Sequence, residues 1–334
     1  MFFQPAIIAL LLAASLGFAG LVLVAPSAWQ LVRYWDLASG SRRQLALERR
    51  TYLLSALVRI VLAAQVIALL LFVFNADRMA PQFVGAMCAV GTLQADRWGM
   101  PALGAQIALF FAASLWLIVD HADRAARDYP LVRVKFGLLL GGLLPLAGIL
   151  LALEFAYFGG LRADVITSCC GSLFSSNATS VPGELGGLPP GAAMIAFYVT
   201  LAAAIGASAL QFRRGCCAAL VAGTSALAFA AALVGIVSFL SLYIYEHPNH
   251  HCPFCLLQAE HGFTGYLLYI PLFAATVCGL GVGALAPFAH VPGLRAVLPA
   301  LSERLAAGAA LGFGAFTIVA TVLILRSNLV LLAP

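Results

Sequence analysis

Charge is what this sequence has least of. Only 9% of its 334 residues are Asp, Glu, Lys or Arg, and 63% are apolar. A soluble domain carries about 25% charged residues. The deficit excludes a soluble globular protein, because too few charges remain to cover a water-facing surface. It also turns the net charge of +5 into information about membrane topology, since there is no basic stripe to serve as a nucleic-acid footprint. Lysine is nearly missing: Lys135 stands alone among 18 basic residues, and by itself it says nothing about chemistry. There is no Gly-rich phosphate loop, Walker-type motif or Ser-His-Asp arrangement, nor any repeat of 20–50 residues or low-complexity tract. The opening stretch MFFQPAIIALLLAASLGFAG lacks the positive flank of a signal peptide, so a retained first span is expected.

What is present is apolar length. Runs near 20 residues mark transmembrane helices, and eight occur, at roughly 4–25, 52–74, 102–120, 136–158, 192–211, 218–244, 263–288 and 306–326. The expected fold is therefore all-α: a polytopic membrane protein of eight helices in a single domain, 1–334. Arginine alternates between the connections. Arg33, Arg42, Arg43, Arg49 and Arg50 follow the first run; Arg124, Arg127, Arg133 and Lys135 follow the third. Arg213 and Arg214 follow the fifth, and Arg295 and Arg304 the seventh. The positive-inside rule makes these connections cytoplasmic. Both termini are then expected outside, with outer loops at about 75–101, 159–191 and 245–262. This is the topology of a multi-pass protein of a bacterial inner membrane. The NAT at 177–179 is read as a chance match to a glycosylation acceptor.

The cysteines sort by side. Cys88, Cys169, Cys170, Cys252 and Cys255 fall in or beside outer loops, where disulfides form and persist. Bracing disulfides between these loops are one reading. Cys216 and Cys217 fall on the cytoplasmic side and are expected to stay reduced, and Cys278 reads as a small core residue. The densest chemistry lies in EHPNHHCPFCLLQAEHG, residues 246–262, which holds four of six histidines and two of eight cysteines. In Cys252-Pro253-Phe254-Cys255 the proline suits a first helical turn. Cys252 is thus expected at a helix N-terminus that stabilises its thiolate. It would be the more exposed, attacking thiol, with Cys255 a turn deeper and His250 and His251 lowering the thiol pKa. Adjacent Cys169 and Cys170, in ITSCCGSLFS, are a second candidate: a strained disulfide, a soft-metal ligand pair, or two separately paired thiols.

CPFCLLQ at the outer mouth of a helix resembles the C-x-x-C-hydrophobic-x-Gln segment of DsbB-type oxidoreductases. It is also similar to the CPxC of bacterial vitamin K epoxide reductase homologues. The resemblance covers about ten residues. An arginine that follows the Gln in the DsbB-type pattern is replaced here by Ala259. What it implies is a Cys252–Cys255 exchange pair near a quinone, drawing electrons from loop cysteines.

The same residues support a metal reading. His247, His250, His251, Cys252, Cys255 and His261 offer imidazole and thiolate ligands suited to zinc or copper. Covalent c-type haem is excluded because residue 256 is Leu, not His. Glu154, near the outer end of the fourth run, is a candidate proton acceptor for an outer redox site, and Arg59 is expected to snorkel. The leading expectation is a membrane thiol–disulfide oxidoreductase using Cys252, Cys255, Cys169, Cys170 and Glu154. Quinone is its candidate cofactor, and a periplasmic thiol protein or other membrane subunits are its candidate partners. A soft-metal binding or transport protein and a structural subunit of a membrane complex are the alternatives.

Overall fold

A computed structural model describes residues 4–37, 39–126, 128–162, 167 and 188–331. The protein is helical, and among the described residues no strand forms. Among the described residues, eight helices are long and apolar enough to cross a membrane: Pro5–Tyr34, Arg42–Gln82, Gly99–Ala125, Val132–Gly160, Pro190–Arg214, Ala218–Tyr245, Thr264–Phe288 and Leu298–Arg326. They are called spans 1 to 8. Every apolar run becomes one of them, and the chain is a multi-pass membrane protein. Most helices overrun their apolar stretches, span 2 by about ten residues at its arginine-rich end. Hydropathy marks lipid thickness, whereas a helix ends where its backbone finds other partners.

The helices fall into two compact units. One comprises residues 1–79, 92–165 and 287–299; the other comprises 80–91, 166–286 and 300–334. The first holds spans 1 to 4 around Leu21, Leu62, Trp116, Phe136 and Leu150. The second holds spans 5 to 8 around Phe197, Phe239, Leu272, Phe313 and Phe316. There Phe197 packs edge-on against Phe239, with ring centroids 5.3 Å apart. In lipid, helices associate through close packing of small residues. A Cβ on Gly279 would lie 2.0 Å from Ser225 Oγ, and one on Gly312 would lie 2.8 Å from Ala275 Cβ. Spans 6, 7 and 8 therefore meet at backbone distance.

The first unit contains a buried ion cluster. Lys135, fully buried, donates to Asp120 Oδ1 at 2.9 Å and pairs with Asp123 Oδ2 at 2.8 Å. Arg124 Nε reaches Asp120 Oδ2 at 2.9 Å, and Arg59 Nε lies 3.6 Å from the same oxygen. Asp123 Oδ1 accepts from the Leu131 amide, and the Trp116 indole donates to the Lys135 carbonyl. Arg59 turns to Asp120 and keeps its side chain 36% exposed. The attraction between unlike charges strengthens where water is scarce.

Candidate thiol centre

Three sulfurs meet in the second unit. The Sγ atoms of Cys88, Cys252 and Cys255 all lie within 4.8 Å of one another. All three residues are buried, at 0%, 0% and 3% exposure. Cys88 Sγ and Cys252 Sγ share a hydrogen bond at 3.5 Å, across 164 residues of sequence.

The local fold explains how a polar loop delivers its cysteines inward. Span 6 ends at Tyr245, and Glu246, at φ +52°, reverses the chain. The loop is then pinned back onto that span. His251 Nδ1 lies 2.9 Å from the Val237 carbonyl, and since a carbonyl only accepts, Nδ1 carries the proton. Val237 sits in a π turn, Ile236–Leu240, which widens the helix at this point. The Tyr245 hydroxyl donates to the Cys252 carbonyl at 2.6 Å, and the Tyr269 hydroxyl donates to the Pro253 carbonyl at 2.7 Å. Cys255–Leu257 makes a single 3₁₀ turn. Gln258 Nε2 then donates to the Met87 carbonyl at 2.8 Å, tying the Cys88 segment to the loop. Gly265 admits the loop, because a Cβ there would lie 3.0 Å from the Leu256 carbonyl carbon. Replacing either tyrosine with Phe is expected to cost about 1 kcal/mol by removing one hydrogen bond, read as a lower unfolding temperature in detergent.

Several expectations are corrected here. Span 7 begins at Thr264, so Cys252 does not stand at a helix N-terminus and receives no dipole stabilisation. Gly262 and Phe263, both in the left-handed region at φ +63° and +55°, break the chain between loop and span. Cys252 is not the more exposed thiol of its pair, being completely buried. The histidines do not join the centre either; among the described residues, the converging ligand atoms are the three sulfurs. His247 is exposed and accepts from the Asn249 amide. His250 and His261 flank the Tyr245 ring, at centroid distances of 4.1 and 4.5 Å. Cys169 and Cys170 lie outside the described residues. Glu154 belongs to the first unit, 1% exposed, its Oε2 without a hydrogen-bond partner among the described residues.

Burial pushes the His261 pKa below its ordinary value, reinforced by His250 and opposed by Glu260. The folded state therefore favours neutral His261. The associated stability is present above the unfolded value near 6.5 and is lost as pH falls through the lower folded value. Unfolding measured between pH 7 and 5 is expected to show a shallower decline in a His261→Gln variant.

Cys88 was the member hardest to foresee. Its signal was topological: an apolar outer segment, FVGAMCAVGTL, on the same side as the Cys-x-x-Cys. Compared with protein-family models, curated proteins and solved structures, the chain matches none.

Proposed function

We propose that Cys88, Cys252 and Cys255 hold a thiophilic metal ion, copper(I) or zinc(II), and that the chain is a soft-metal binding or transport protein of a bacterial inner membrane. The observation that carries this is the convergence of three buried sulfurs within 4.8 Å. A zinc–sulfur bond of about 2.3 Å places tetrahedral sulfurs about 3.8 Å apart. The 3.5 Å between Cys88 and Cys252 needs only a few tenths of an ångström of adjustment. Soft thiolates select such ions over hard ones. Exchange-active cysteines, by contrast, sit in partly exposed, electropositive surroundings, and these three are buried. By the arginine distribution, the centre lies toward the outer face.

A second reading keeps the thiol–disulfide chemistry, favoured by the direct Cys88–Cys252 sulfur contact. Joining those sulfurs would release two protons and pass two electrons to an acceptor such as a quinone. One experiment separates the two. Protein purified without reductant is analysed for metal, stripped with a chelator, denatured, and alkylated. The metal reading expects at least one ion per chain and all three thiols alkylated. A metal-free protein with at most one of the three alkylated would sink it in favour of the disulfide. Because thiol protons must leave on binding, affinity is expected to fall by about tenfold for each proton displaced with every unit by which the pH is lowered.

A further inference from the structure

A second thiol pair lies at the opposite end of span 6. Spans 5 and 6 are joined by the short turn Gly215-Cys216-Cys217. Gly215, at φ +63°, closes span 5, and Cys217, at φ +77°, caps the start of span 6. Glycine takes that conformation without strain, but a residue with a Cβ seldom does. The turn thus holds two neighbouring side chains on one side of a tight reversal. Cys217 Sγ donates to Cys216 Sγ at 3.2 Å, and both residues are exposed. Arg213 and Arg214 stand immediately before the turn. The unpaired amides of the first turn of span 6 add positive potential at Cys217.

We propose that Cys216 and Cys217 form an exposed chelating dithiol that takes a thiophilic metal ion at the arginine-rich end of the second unit. Binding replaces two S–H bonds with two metal–sulfur bonds and releases two protons, so no oxidant or reductant is required. Each thiol gives up its proton to the solvent as the ion binds its sulfur. Once one sulfur is bound, the second is already at bonding range, an effective concentration that separated thiols lack. This site does not depend on the reading of the buried centre. It differs in character, being open to solvent where the other is enclosed, which suits rapid loading or release.

The test uses the full-length protein in detergent, with cadmium as the probe. Thiols are alkylated with N-ethylmaleimide across a cadmium titration, and each cysteine-containing peptide is followed by mass spectrometry. Cys216 and Cys217 are expected to become protected together, with one shared midpoint. In Cys216→Ser or Cys217→Ser, the remaining thiol is expected to need at least about 100-fold more cadmium. Cys252→Ser is expected to leave this midpoint unchanged, so failure of the buried centre is distinguishable from failure here. Independent alkylation at cadmium-insensitive rates would overturn the proposal. So would equal protection in the single-serine variants, or a pair found already joined as a disulfide in freshly purified protein.

Discussion

Cys252→Ser is expected to abolish metal retention through purification and to weaken zinc or copper binding by at least about 100-fold, equivalent to about 2.7 kcal/mol. Cys252 is the thiol in direct contact with Cys88, and the backbone that carries it is fixed on both sides. Tyr245 holds its carbonyl and Tyr269 holds the next one. A serine fits the space but offers a hard oxygen that deprotonates far less readily than a thiol. Cys88→Ser is expected to behave alike, although it lies 164 residues away in sequence. Cys278→Ser, on span 7 and outside the sulfur cluster, is the control and should bind normally. Competition titration with a chromogenic chelator measures all three. Equal affinity in Cys252→Ser and the parent would refute the three-thiol site.

The second large effect belongs to the first unit. Lys135→Met is expected to destabilise it by about 3–5 kcal/mol, the usual consequence of removing one partner from a buried ion pair. Asp120 would keep Arg124 and Arg59, but Asp123 would lose the cation that faces it at 2.8 Å. A buried carboxylate without a counter-charge is the costly species. Adding Asp123→Asn to Lys135→Met is accordingly expected to restore part of the loss. Denaturation in detergent measures both variants. A change below about 1 kcal/mol for Lys135→Met would show that the cluster contributes no more than an exposed pair.

The two effects differ in how visible their causes were beforehand. The cluster had a trace in the sequence: Asp120, Asp123 and Arg124 share one helix face near the sole lysine. Spacing of three and four residues signals a shared face, yet it does not say that the face turns inward onto another helix. The thiol centre was half visible. Cys252 and Cys255 stood out by their spacing, while Cys88 did not, since no local pattern links it to them. The histidines, dense in sequence, do not converge in space. In the folded loop His251 turns to the Val237 carbonyl, while His250 and His261 turn to the Tyr245 ring.

The apolar runs by themselves determined that this chain is a multi-pass helical membrane protein, each of the eight becoming a span among the described residues. Those properties follow from transfer free energies that add residue by residue, so they need no knowledge of contacts. Only the tertiary structure decided which thiols meet, that Cys252 is enclosed instead of poised at a helix end, and that Lys135 is a buried counter-ion. The thiol arrangement depends on where distant segments pack, set by a π turn, two tyrosine hydroxyls and a glycine thin enough to admit a loop, and the burial of Lys135 depends on span 4 packing against Asp120 and Asp123 of span 3. Contacts of that kind form only when the chain closes on itself.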